Sequence, residues 1–303
     1  MALSFSIQSD EEITFEDFIK TVTNKIKKKD EASLLSCSDV LLKLANNKQF
    51  FLDFLNTNLM GDVNKFQLHN QYSEQSYILH ETPEYFVRLT YWPILSSNKS
   101  IRDAQNKLFS YGFAHDHNFS LLTAGYKGQG YKTDLWEYDY DKVIGYAGEP
   151  VDLRFLESTY LSEKKALYFR PSKDIHCQFP PEEEDALAIN IILRSDDKRE
   201  RQYAFDTEAK KIKSLIYEGG NNIGKFSILN LAQFIHNDRT VDLLEQLSNN
   251  HEDGLIRQES LDALYKITSS EEVWKEALKK NTDPRVRAYA RMGLEMNLGR
   301  DVV

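Results

Sequence analysis

Two histidines one residue apart, His115 and His117, are the residues of this chain best placed to do chemistry. On a β-strand, residues i and i+2 project to one face. The pair therefore predicts two imidazoles side by side, close enough to share a metal ion. A third histidine, His176, follows some sixty residues later in Arg170-Pro171-Ser172-Lys173-Asp174-Ile175-His176. Neutral imidazoles suit Fe, Zn, Ni and Cu, so ligand type alone does not name the metal. His69, His80, His236 and His251 have no partner at metal-ligand spacing and read as ordinary polar or surface residues. Asp116, between the pair, points to the opposite face and reads as a turn or supporting group.

Arg88 is the residue best suited to hold a substrate. It lies in Tyr85-Phe86-Val87-Arg88-Leu89-Thr90-Tyr91-Trp92, a strand ended by Pro93. Alternation places it with Phe86, Thr90 and Trp92, opposite Val87, Leu89 and Tyr91. An arginine fork on an otherwise apolar face suits a carboxylate held bidentately. On pattern alone, an outward arginine whose stem covers apolar surface fits as well. Arg170, just before Pro171, is the second candidate. Tyr131 and Trp136, with Tyr126, suit the mouth of a pocket or ordinary strand packing.

The elements that must carry these residues fall into three stretches. Residues 1–64 read as helical, with Phe15, Phe18, Ile19 and Val22 recurring at helical spacing. Thr14 followed by Glu16 and Asp17 suits a helix start. Residues 65–220 carry many short strands with turn signals between them, as a sandwich or barrel requires. Besides Tyr85–Trp92, the candidates are Phe119–Ala124, Thr133–Tyr138, Val151–Leu156, Ala166–Phe169, Ala186–Leu193 and Arg201–Phe205. Gly125, Gly128 and Gly130 are read as breaking the second of these into a flexible hairpin connection. Residues 221–303 are helical again and contain an internal repeat. The stretch from Asp253 can be laid on the stretch from Asp283, matching Ile256 with Val286, Arg257 with Arg287, Ser260 with Ala290, Ala263 with Gly293, and Leu264 with Leu294. Asp-Pro-x-Val-Arg-x-x-Ala resembles the second helix of a HEAT-like repeat, a unit that buries its apolar face by stacking on neighbours. Phe226 to Phe234 would supply a degenerate third copy.

Bulk composition narrows the function classes. A net charge of −9 over 303 residues argues against a generic nucleic-acid surface. The basic run Lys25 to Lys29 reads as a solvated helix face. Two cysteines, Cys37 and Cys177, do not make a disulfide framework, so a reducing compartment is expected. The residues from Met1 to Phe15 lack the basic and then apolar pattern of a signal peptide. No apolar run approaches the length of a membrane span. The expectation is a cytoplasmic protein with neither nucleic-acid nor membrane partners.

The segment from His115 to Leu193 resembles the two motifs of the cupin superfamily. The first carries His-x-His; the second has a proline five residues before its histidine, as Pro171 stands before His176. Lys173 occupies the place of the second motif's usual glycine. The first motif's glutamate has no counterpart in Asn118 to Thr123, and Glu137 is too far along to replace it. The resemblance thus implies a three-histidine site, as in the thiol dioxygenases, the family of cysteine dioxygenase. That family begins with helices and has a Tyr-x-Arg-like strand before its His-Asp-His motif, similar to Tyr85–Leu89 before His115. Its proline-containing acidic loop resembles Pro180-Pro181-Glu182-Glu183-Glu184-Asp185, followed by the strand from Ala186. The likeness covers roughly residues 65 to 195. Asn190 stands where the family has a histidine, Ile192 where it has a catalytic tyrosine, and the cross-linking cysteine has no counterpart. Cysteine is therefore not carried over as the substrate.

Together these readings predict a mainly β fold with added helices. Its core is a cupin double-stranded β-helix, or jelly-roll barrel, preceded by helices and followed by HEAT-like repeats. The expected function is a metal-dependent oxygenase. His115, His117 and His176 would hold Fe(II), with Zn, Ni or Cu as alternatives. O2 would act on a small carboxylate-bearing substrate such as an amino acid or thiol, or on a peptide. Arg88, Arg170, Tyr131 and Trp136 would bind the substrate. The alternative from another class is a non-catalytic metal- or ligand-binding cupin whose C-terminal helices bind a protein partner. The resemblance also admits a homodimer.

Overall fold

The computed structural model describes residues 3–6, 9–26, 30–61, 67, 70, 75–194, 201–216 and 220–298. Lys27 to Lys29, Asp62, Asn64 and His69 lie outside the described residues. The chain divides into two compact units, residues 1–140 with 152–210, and residues 141–151 with 211–303.

The first unit contains β1 (Leu3–Ser6), four helices and then the strands. The helices are α1 (Phe15–Lys25), α2 (Glu31–Leu35), α3 (Ser38–Asn46) and α4 (Gln49–Met60). Thr14 caps α1 by accepting the Asp17 N–H at 3.2 Å, with Glu16 and Asp17 in the first turn. β2 (Ser76–Glu81) and β3 (Tyr85–Trp92) precede α5 (Lys99–Leu108). Then come β4 (His115–Asp116), β5 (Leu121–Lys127), β6 (Lys132–Glu137), β7 (Arg154–Tyr160), β8 (Lys165–Phe169), β9 (Asp174–Gln178), β10 (Ala186–Leu193) and β11 (Gln202–Asp206).

Strand order identifies the architecture. One antiparallel sheet runs β1-β8-β5-β10-β3-β2. In the other, the strands of this unit run β11-β4-β9-β6-β7. From β3 to β10 the chain repeatedly changes sheet, placing 8-5-10-3 in one and 4-9-6-7 in the other. That interleaving of two Greek keys is the jelly roll. The fold class expected from the sequence, mainly β with helices at both ends of the chain, is the one observed.

Side-chain alternation gives the first sheet two different faces. Val87, Leu89, Leu122, Ala124, Ala166, Tyr168, Ile189 and Ile191 point one way and form a buried core with Phe18, Val22, Leu34, Leu41 and Leu44 of the helices. The N-terminal helices are thus the cover of one sheet face. The other face, with Phe86, Trp92, Leu121, Phe169, Ala188 and Ile192, builds a second core inside the barrel. In register across β3, β10 and β5, Arg88, Asn190 and Thr123 form a polar row on that inner face.

Gly125 does not end its strand: β5 continues to Lys127. A Cβ there would lie 2.1 Å from the Ser162 carbonyl oxygen, and one at Gly130 2.1 Å from that of Leu161. These glycines let the β7–β8 connection pass directly against the hairpin, the close-approach role of glycine in a strand. The sequence reading also lacks β1, β2, α5, β9 and the strand Lys211–Ile216, and starts β7 three residues early.

In the second unit, β12 (Lys211–Ile216) meets the 141–151 segment, with Ile212 donating its N–H to the Glu149 carbonyl at 2.9 Å. Five helices follow: α6 (Gly220–Leu231), α7 (Asp238–Asn250), α8 (Gly254–Thr268), α9 (Glu272–Lys280) and α10 (Pro284–Leu298). The two aligned aspartates sit at equivalent places. Asp253 accepts the Leu255 N–H and Asp283 the Arg285 N–H, each at 2.8 Å. Ile256 and Val286 are both buried, as are Ser260 and Ala290. No described helix is long and apolar enough to cross a membrane.

Candidate metal centre

The three histidines meet inside the barrel. In register, His115 of β4 stands opposite His176 of β9. Their Nε2 atoms face each other at 3.1 Å. His117 follows β4, and its ring centroid lies 4.9 Å from that of His115 and 4.8 Å from that of His176. One nitrogen from each ring falls within 4.8 Å of the others. The two-residue spacing therefore does what the sequence predicts, and β9, which the sequence reading missed, brings the third ring.

Each ring is also held by its other nitrogen. His115 Nδ1 meets the Phe113 carbonyl at 2.9 Å. His117 Nδ1 lies 3.4 Å from Gln202 Oε1, and the Gln202 amide donates to Asn118 Oδ1 at 3.0 Å. The Gln178 carboxamide lies against His176 Nδ1, with its Nε2 at 2.6 Å, and a half-turn of the amide puts the Oε1 acceptor at the same spot. Engaging Nδ1 fixes each ring and directs Nε2 to the centre, the arrangement usual for metal-ligating histidines.

Burial works in the same direction. It pushes the His115 pKa down to about 4, with the Arg88 charge adding to the effect and the Phe113 carbonyl opposing it. His117 and His176 are driven well below the ordinary histidine value, first by burial and then by neighbouring rings and Arg88. The rings are therefore neutral near pH 7, the form that ligates metals. Three neutral, converging nitrogens fit a borderline transition-metal ion and suit Ca2+ or Mg2+ poorly, because those ions take oxygen ligands.

The rings open on a cavity of about 170 Å³. Arg88, Thr90, Trp92, Thr123, Tyr131 and Asn190 line it, along with Leu121, Phe169 and Gln178. Arg88 thus faces the centre beside Thr90 and Trp92, as strand alternation predicts. Tyr131 also lines the cavity, its ring 4.3 Å from that of Trp92. Asn190 donates to Thr90 Oγ1 at 2.6 Å.

Two expected substrate residues lie elsewhere. Arg170 is engaged by acids: Nε donates to Asp174 Oδ2 at 3.0 Å and Nη2 to Glu137 Oε2 at 2.9 Å. Trp136 alternates with the buried Leu135 and packs edge-to-face on the exposed Phe155. Neither lines the cavity. Asp116 does face away from the histidines. Fully buried, it accepts the Tyr138 hydroxyl and the Tyr203 N–H, each at 2.6 Å, and so anchors β4. Cys177, next to His176, is buried with its thiol pushed up to about 11 by burial, and is not a ready nucleophile.

Gln178 and Gln202 were not singled out in the sequence. Gln178 is two residues from His176, so reading Asp174–Gln178 as a strand would have put both on one face. Gln202 is reachable only through the pairing of Ala204 with His115, which places it near His117.

No family model matches the sequence, and no curated protein matches it closely enough to count as a relative. Among solved structures, the chain is similar to a cupin-2 domain-containing protein from Shewanella frigidimarina, with 11% identity over 46% of this chain and 99% of that one, at a TM-score of 0.23. A cupin domain from Bordetella pertussis is similar at 11% identity over 40% and 92%, with a TM-score of 0.21. A variant of salicylate 1,2-dioxygenase from Pseudoaminobacter salicylatoxidans is similar at 8% identity over 48% and 33%, with a TM-score of 0.25. At these TM-scores the likenesses carry no argument. The jelly roll rests on this chain's own strand order, and the candidate metal centre on its own geometry.

Proposed function

We propose that the barrel is a metal-dependent oxygenase acting with O2 on a small carboxylate-bearing substrate. The observation that carries this reading is the convergence of His115, His117 and His176 on one buried cavity that Arg88 also lines. The three histidines would hold the metal, with Fe(II) favoured over Zn, Ni or Cu. When bound, such an ion supplies the redox chemistry and open ligand positions that O2 and substrate require. Arg88 binds the substrate carboxylate and turns it toward the histidines. Asn190, Thr90 and Thr123 orient polar groups along the same row. Trp92, Tyr131, Leu121 and Phe169 exclude water. A cavity of about 170 Å³ is well below the roughly 300–1,000 Å³ of drug-sized pockets, which supports a substrate of amino-acid size.

The test is metal analysis of the purified protein after iron supplementation, followed by O2 consumption on a panel of thiols and amino acids. Near-stoichiometric metal is expected, falling on His115→Ala, His117→Ala or His176→Ala with little loss of fold. Less than about a tenth of an equivalent in the parent protein would refute the reading.

One observation favours a second reading. Asn190 and Ile192 stand where the thiol dioxygenases have a histidine and a tyrosine, so proton-transfer groups are sparse on this wall of the cavity. The alternative is a non-catalytic metal- or ligand-binding barrel, with HEAT-like C-terminal helices that bind a protein partner. Ile228, Leu231, Phe234 and Ile235, all more than half exposed, support a contact surface there. Metal uptake without O2 consumption, together with partner capture that depends on residues 222–303, would select this reading.

A further inference from the structure

The groups behind the metal-facing rings carry an inference of their own. Gln178 and Gln202 are both buried, and the carboxamide of each ends on the Nδ1 of a different histidine, Gln178 with Nε2 2.6 Å from that of His176 and Gln202 with Oε1 3.4 Å from that of His117. His115, by contrast, is held by the main-chain carbonyl of Phe113. We infer that Gln178 and Gln202 are positioning residues that fix His176 and His117 with Nε2 toward the shared centre and, being neutral, keep both ligands as plain imidazoles. This rests on the metal-centre reading above.

The physical reasoning runs through the ring's two nitrogens. For Nε2 to offer its lone pair to a cation, Nδ1 must carry the hydrogen, and a buried N–H requires an acceptor. A carboxamide can present oxygen to it: Gln202 does so with Oε1, and Gln178 does so once its amide is turned over to exchange Nε2 for Oε1. Leucine, of similar bulk, cannot. A carboxylate would accept the same hydrogen more strongly and raise the basicity of the ligand. The carboxamides therefore hold the rings without adding negative charge to the centre. A reach from β11 explains why Gln202 is tethered at both ends, to His117 and to Asn118. The shorter contact predicts that Gln178 matters more than Gln202.

The metal-free full-length protein titrated with Co(II), followed by visible absorption, tests this, with far-UV circular dichroism as the check on fold. Gln178→Leu and Gln202→Leu should weaken Co(II) binding about 10- to 100-fold, Gln178→Leu the more. Gln178→Glu should restore or tighten binding and displace the visible bands, which a purely space-filling glutamine would not do. Leucine variants that fold and bind Co(II) within about twofold of the parent would overturn the inference. Should Gln178→Leu fail to fold, Gln202→Leu and Gln178→Glu decide: parent-like affinity with unmoved bands in both overturns it. A parent protein that takes up no Co(II) sinks the metal-centre reading as well, whereas uptake indifferent to the glutamines sinks this inference alone.

Discussion

Arg170 shows how a residue can look like a ligand clamp in sequence and be a strut in structure. It lies just past the end of β8, six residues before His176 joins the centre, and its charge is spent on Asp174 and Glu137. Glu137 in turn receives Arg154 through Nε at 2.9 Å. The Arg154 hydrogen bond first, and that of Arg170 next among the favourable causes, hold its carboxyl down to about 2, against an ordinary value near 4.5. The sign follows directly. A carboxylate whose pKa is depressed by folding stabilises the fold above the unfolded value, and that stability is lost as pH falls through the folded one. The midpoint of thermal unfolding should therefore fall steeply from about pH 4.5 to about 2. In Glu137→Gln the slope over that window should be shallower, at the cost of lower stability at pH 7. Parallel slopes in the two proteins would show that the pair contributes little. Arg88 and Arg170 differ in sequence only by context. Alternation placed Arg88 correctly because its strand was recognised end to end. The fate of Arg170 depended on pairing Glu137 with Asp174 across β6 and β9, and that register is not written in either segment alone.

At the scale of elements, strong local patterns were legible and short or irregular ones were not. β3 and β10 are apolar eight-residue strands, and their boundaries could be read directly. β9 is five residues that alternate acid, isoleucine, histidine, cysteine and glutamine, which resembles a loop in composition. Without that strand nothing marks Gln178 as a neighbour of His176, whose own signal is Pro171 five residues before it. Gly125 departs from its pattern for the opposite reason: a glycine that reads as punctuation marks contact. The Ser162 backbone leaves no room for a methyl at that position, and backbone atoms cannot swing aside as a side chain can. Gly125→Ala should therefore destabilise the barrel by about 3 kcal/mol or more. An equilibrium denaturation curve gives this number, and a loss under about 1 kcal/mol would mean that the β7–β8 connection yields.

At the scale of the whole molecule, each compact unit carries cores of its own, and in the helical unit the two stretches that align in sequence differ in step. The thirty-residue offset that aligns Ala263 with Gly293 also aligns Leu244 with Trp274. Leu244 and Ala263 share one buried cluster, and Trp274 is buried in another with Val286 and Ala290. A Cβ on Gly293 would come within 2.8 Å of the Trp274 indole. The first copy thus has leucine and alanine in one buried cluster, where the second has tryptophan against a glycine. Such paired exchange keeps the filled volume similar, as close packing demands. Gly293→Ala alone should cost about 1–3 kcal/mol, because the indole must move, and this outweighs the gain in helix propensity. Trp274→Leu alone should also cost stability, through the cavity it leaves. Combined, the two recreate the Leu–Ala pairing of the first copy, so the double variant should lose less than the two single losses added together. Hydrogen exchange of the α8–α10 amides is the suitable probe, since it reports this unit separately from β9 and β10. Strictly additive losses would show that the two positions are independent. The thirty-residue match would then be one of sequence pattern and not of shared packing.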